Sequence, residues 1–380
     1  MKKTTALSLT LRNLGLLLLL GGGALVVSCS QDPIFYTIEN ETQLKDPVIS
    51  GGPTKIVALN NALYVASGGI YQYDQGGQWH KMGSQPPGDK VIDLAATAAN
   101  GYLYALTIEG AKFTGGTLYR KKDGEDGWEL IPNGSAYNRI AVIFGAHDTL
   151  FAGAYRDASI DSAVLLYAQG AAAELSAGRT SNGLLKTAAF FEGDYYVSIE
   201  KQGLFAAASP AELSGADSLC ESPMGLLTIE RDGKKYLAAA GSGGTVRLIK
   251  PGRTIVAEGD FGFYFTGAIA YWEEDATSLL LLGRGIIGGN STTYYTYGYY
   301  ELSLDMERGT LGAFMSPGDS RAEGMSTSVS SNAKYTASLG THVVNSLYWT
   351  PAAIDPAMPL FAATQRDGLW SCRGKEWNVE

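Results

Sequence analysis

Ile56-Val57-Ala58-Leu59, Leu63-Tyr64-Val65-Ala66, Gly69-Ile70-Tyr71-Gln72-Tyr73 and Trp79 follow one another early in the chain, separated by short polar or glycine-bearing turns. Short runs rich in β-branched and aromatic residues, bounded by turn formers, mark strands. The phrase returns. Leu103-Tyr104-Ala105-Leu106 leads to Thr117-Leu118-Tyr119 and Trp128, and Leu150-Phe151-Ala152-Gly153 to Val164-Leu165-Leu166-Tyr167. Tyr195-Tyr196-Val197-Ser198 and Tyr236-Leu237-Ala238-Ala239 carry it on. Leu279-Leu280-Leu281-Leu282 and Leu360-Phe361-Ala362-Ala363 complete the series, the last followed by Trp370 and Trp377. The second strands start near 63, 103, 150, 195, 236, 279 and 360, so most spacings lie between about 40 and 47 residues, the period of a four-stranded propeller blade.

A blade is a small twisted sheet that cannot cover both its faces alone, and packing blades around an axis covers them. Seven copies predict an all-β, seven-bladed β-propeller of four-stranded antiparallel blades. The interval from 279 to 360 is about twice the others. It leaves an eighth, degenerate blade as the alternative to a long insertion. The Ser-, Gly- and Thr-rich stretch from Ser316 to Asn332 favours a loop there. Ring closure is open at this level: Ile34 to Ile38 could pair with the last blade, or simply lead into the first. Composition agrees with an all-β chain. There are 48 Gly and 22 Tyr in 380 residues, and no long stretch repeats apolar residues at spacings of three and four.

The amino terminus carries a different signal. Lys2, Lys3 and Arg12 precede an apolar run from Leu14 to Leu20, and small residues lead through Val26-Val27-Ser28 to Cys29. This is the layout of a secretory signal peptide. With cysteine in the first mature position it resembles the lipobox of bacterial lipoproteins. The resemblance implies cleavage before Cys29 and acylation of its sulfur and new amino group. The expected organisation is a signal peptide over 1–28, a lipidated linker over 29–50 and a propeller over 51–380. The lipobox and repeat style look like those of spirochaetal, particularly treponemal, propeller lipoproteins.

Loss of residues 1–28 removes Lys2, Lys3, Arg12 and no acid, taking the net charge from −9 to −12. So acidic a chain repels phosphate backbones and anionic headgroups, which argues against nucleic acid as a partner. Membrane contact is expected through the acyl chains, each buried methylene contributing about 0.8 kcal/mol. Once Cys29 is acylated, Cys220 and Cys372 remain. In an oxidising compartment they could form a disulfide, or pack as two buried thiols.

Asp74-Gln75-Gly76-Gly77-Gln78-Trp79 resembles the Asp-box of sialidases and other BNR-type propellers, with Asp74, Gly76 and Trp79 matching. Gly374 and Trp377 keep the end of the pattern, while Asp123, Gly124 and Trp128 keep its residues out of register. The resemblance implies a structural turn and no catalytic site. Sialidase chemistry would need convergent arginines, a nucleophilic tyrosine with its glutamate and a further acid, and the Arg-Ile-Pro signature of that family is absent. Gly283-Arg284-Gly285-Ile286-Ile287-Gly288 has the spacing of a dinucleotide fingerprint, but a strand-like Thr- and Tyr-rich run follows where a helix is required. A glycine-rich hairpin is the expectation.

His80, His147 and His342 are far apart, with no metal-ligand spacing, no nucleophile elbow and no Walker loop. No metal, cofactor or catalytic residue is therefore expected. The run Tyr294-Tyr295-Thr296-Tyr297-Gly298-Tyr299-Tyr300 places Tyr295, Tyr297 and Tyr299 on one face of an extended strand. They pack between blades or, if the hairpin protrudes, join the 316–332 loop in a partner-binding patch. The expected function is a lipid-anchored, non-catalytic binding or scaffolding module of the bacterial envelope, on its periplasmic side or at the cell surface, with a protein or glycan partner. An envelope assembly factor and a glycan- or lactone-acting hydrolase are the alternatives.

Overall fold

The computed structural model describes residues 47–380 apart from 111–114, 133–138, 156–161, 263, 275–276, 285, 290–291, 296–297, 315–338, 340–341 and 374–375. Seven four-stranded antiparallel sheets form a ring, a seven-bladed β-propeller. The blades occupy 56–81, 90–131, 139–181, 185–220, 223–260, 265–314 and 344–379. Six are simple meanders. In blade 6 the second and third strands are separated by a two-stranded ribbon, Ile286–Gly289 paired with Thr292–Tyr295. The glycine-rich hairpin expected of the 283–288 stretch is thus present, and no eighth four-stranded sheet occurs among the described residues. The Ser316–Asn332 stretch lies outside them.

The unbroken apolar character of the second strands follows from their position. A strand in mid-sheet, between two neighbouring blades, buries both its faces. In Ala62–Ser67, Leu63 and Val65 pack towards blade 7 while Tyr64 and Ala66 pack towards blade 2. In Thr277–Arg284, Leu279 and Leu281 face blade 7, and Leu280 and Leu282 face blade 5. The same division repeats round the ring, so the apolar core is seven separate clusters, one at each junction between adjacent blades.

Among the described residues no strand is exchanged between the two ends of the ring. Blade 7 is built wholly from Val344–Trp349, Leu360–Thr364, Leu369–Arg373 and Glu376–Val379. The segment before blade 1 clips onto it: the Ile49 amide donates to Glu380 O at 3.3 Å, and Ile49 O accepts from the Leu369 amide at 3.3 Å. Side-chain contacts complete the junction. The Tyr73 hydroxyl donates to Asp355 Oδ2, and an Arg373 amino group donates to the Tyr73 oxygen at 3.1 Å. Phe361 packs edge-on against Tyr73 and Trp79, with ring centres 5.0 and 5.3 Å away. Ile34 to Ile38 lie outside the described residues.

Candidate functional site

The first strand of every blade is the innermost, and together these strands line a central cavity of about 670 Å³. They approach one another closely. At Gly145 an added Cβ would lie 1.8 Å from Ala96 O, so only glycine lets the walls of blades 2 and 3 meet there.

Six of the innermost strands share one irregularity. Each skips a register position against its second strand, at Ile92, Ala141, Lys186, Met224, 266–268 and Asn345. All of these residues line the cavity. Lys55 takes the corresponding place in blade 1, between Thr54, whose amide donates to Ala66 O at 3.1 Å, and Ile56, which pairs with Val65. A bulge re-aims side chains at a sheet edge, and here it sets a ring of them about the channel.

Within that ring Lys55 reaches from blade 1 across blade 2 to blade 3. Its Nζ donates to Asp93 Oδ2 at 2.9 Å and to Ile143 O at 2.5 Å, and stands 3.5 Å from the centre of the Phe144 ring. Asp93 is fully engaged: Oδ2 also accepts from the Ile143 amide at 2.9 Å, and Oδ1 from the Leu94 amide at 3.0 Å. The Lys55 side chain keeps 23% of its surface open to the cavity, yet enclosure by protein pulls its pKa below the usual lysine range, against the opposing pull of Asp93. Lys186 Nζ lies 3.2 Å from Glu200 Oε1. The Thr54 hydroxyl is buried without a hydrogen-bond partner among the described residues.

The Asp74 carboxylate accepts from the Gly76 amide at 2.8 Å, the Gly77 amide closes the turn on Asp74 O at 3.0 Å, and Trp79 is buried. The geometry is that of a turn and its anchor. The Asp123 stretch differs, its carboxylate accepting instead from Asn60 Nδ2.

Two alternatives left open by the sequence are decided, each against the finer reading. Tyr299 is not at the surface but fully buried in the junction of blades 6 and 7, its ring centre 5.8 Å from that of Trp377. It begins the third strand of blade 6, Tyr299–Asp305, where side chains are covered by the next blade, and burial raises its pKa well above the usual phenol value. Cys220 and Cys372 are not joined in a disulfide. They are free thiols of blades 4 and 7, half-buried and buried respectively. Cys29, Tyr297 and the side chain of Tyr295 lie outside the described residues, and Tyr295 closes the ribbon of blade 6.

Lys55, Asp93 and Lys186 escaped the sequence reading. Their signal is a charge in or beside an apolar innermost strand, as in Val91-Ile92-Asp93-Leu94 and Leu184-Leu185-Lys186-Thr187. Among the described residues no group of three or more His, Cys, Asp or Glu could hold a metal ion, and no helix is long and apolar enough to cross a membrane.

Comparison with known proteins now adds to this geometry. Residues 4–137 match the model of the TP013X lipoprotein family. A stretch of 104 residues is 33% identical to an uncharacterised lipoprotein of Treponema pallidum (strain Nichols), covering 25% of this chain and 26% of that protein. The match thus spans about a quarter of the relative's length. Among solved structures, an ancestral GH74 enzyme superposes with a TM-score of 0.55 at 15% identity, over 88% of this chain and 47% of that one. The WD40 β-propeller domain of Doa1 gives a TM-score of 0.47 at 9% identity, over 89% and 95%. At such identities the likeness is one of fold alone.

Proposed function

We propose that this protein is a lipid-anchored module of the bacterial cell envelope whose propeller binds a ligand or partner at its central channel without chemical turnover. The observation that carries the reading is the state of Asp93, the carboxylate among the cavity-lining residues. It accepts hydrogen bonds from Lys55, Ile143 and Leu94. Those three contacts tie the carboxylate into the channel wall, where it braces the first strands of blades 1, 2 and 3 against one another. Small side chains line much of the remaining channel, among them Ala58, Ala95 and Ala188. They leave a volume within the range that small-molecule sites occupy.

Anchoring is supported by Cys29 behind its apolar leader and by the lipoprotein match over residues 4–137. Two or three acyl chains hold a protein firmly at a bilayer where one does not. Cys29→Ala is expected to leave the membrane fraction for the soluble one, and retention of that variant in membranes would count against the anchor. A glycan hydrolase has the likeness to the GH74 enzyme behind it. Turnover of a glycan that is abolished by Asp93→Asn would replace the binding reading with that one.

A further inference from the structure

We propose that the channel mouth takes an organic anion of metabolite size, its acidic group held by the ammonium groups of Lys55 and Lys186. The inference rests on the binding reading above and names the chemistry of the ligand.

The protein carries a formal net charge of −9, yet Lys55 and Lys186 line this cavity and Asp93 is the acid that lines it with them. That acid is spent on Lys55 and two backbone amides. An ammonium has three donors. Lys55 uses one on Asp93 and one on Ile143 O, which leaves one for a ligand. Enclosure without full compensation is what depresses its pKa, and an added negative charge would supply the compensation.

Lys55 places its ammonium against blade 3, the blade that adjoins the one carrying Lys186. Lys186 holds Glu200 across 3.2 Å in a half-exposed pair, and Glu200 is not among the residues lining the cavity. Such solvent-exposed pairs are weak, so Lys186 can turn from Glu200 to a better-placed acid. The bulges bring further hydrogen-bonding groups to the same ring. The Thr54 hydroxyl is buried with no partner among the described residues, and Asn345 stands at the bulge of blade 7. Ser346 accepts from the Ile56 amide at 3.2 Å, which leaves its hydroxyl proton to donate. Tyr348 supplies a flat wall for a carbon skeleton. A cation would meet an acid already satisfied and two ammonium groups.

The test uses the full protein in detergent, with citrate, succinate and inorganic phosphate as probes in titration calorimetry. Lys55 is followed in parallel by acetic anhydride labelling and mass spectrometry. At least one probe is expected to bind saturably, to protect Lys55 from acetylation, and to lose affinity about tenfold or more in Lys186→Met, the loss of a hydrogen bond to a charged group. Lys55→Met is expected to abolish binding, and the labelling of the unaltered protein decides the matter if that variant misfolds. No saturable binding by any of the three, equal acetylation of Lys55 with and without probe, or unchanged affinity in Lys186→Met would overturn the proposal. A failure of anion binding alongside a glycan or protein bound at the channel would leave the module reading standing. Glycan turnover would remove that reading instead.

Discussion

At the scale of single residues, the channel wall is the most constrained part of the molecule. Gly145 has no room for a side chain, because an added Cβ would press 1.8 Å from the carbonyl oxygen of Ala96 in the neighbouring blade. Backbone, unlike a flexible side chain, has no rotamer by which to withdraw. Gly145→Ala is therefore expected to destabilise the protein by about 1–3 kcal/mol or more, the cost of overpacking. Thermal and denaturant unfolding would measure it, and unchanged stability would mean that blades 2 and 3 stand further apart. The glycine count in the sequence signals turns, but it does not say which glycine meets another blade. Lys55 and Asp93 were equally hidden, since their partners lie up to 88 positions away in sequence. A lone charge in an apolar run was legible only as an irregularity.

At the scale of elements, the second strands were the most readable and the first strands the least. Leu-Tyr-x-Ala runs stand out because a strand covered on both faces needs apolar residues at every position, as Tyr64 and Val65 show by packing towards opposite neighbours. The same rule explains Tyr299. Side-chain alternation placed it beside Tyr297, but its pairing with Gly283 makes it part of blade 6 proper, where the next blade covers it. First strands carry bulges, and a bulge interrupts the alternation from which a face is read.

The junction of blades 1 and 7 offers a test at this scale. Burial, reinforced by the hydrogen bond to Asp355 and opposed by Arg373, pushes the Tyr73 phenol up to about 12. Burial does the same for Tyr196 and Tyr348, each to about 12. In the unfolded chain these phenols titrate near 10. The fold favours the neutral form, so the stability these phenols contribute should be level below pH 10 and be lost as pH rises from about 10 to about 12. Tyr73→Phe should flatten that fall. It should also cost about 1–3 kcal/mol at neutral pH by leaving buried Asp355 short of a donor. Unfolding curves across this pH range would show both effects, and an unchanged alkaline slope would contradict the assignment.

At the scale of the whole molecule, the periodicity of the second strands was enough to predict seven blades, because each repeat is a unit that cannot shield itself and must be stacked. How the ring closes was beyond the sequence. Closure among the described residues rests on one junction made of packed rings, the Tyr73–Asp355–Arg373 contacts and the Ile49 clip. Each blade depends on both neighbours for its buried faces, so the ring should open as one unit rather than blade by blade. Hydrogen exchange read by mass spectrometry tests this most directly. The account predicts that Ala62–Ser67 and Leu360–Thr364, beside the closure, exchange as slowly as Asp194–Ile199 on the far side of the ring. Exchange at those two strands that runs far ahead of the rest would show the ring to be open between its first and last blades.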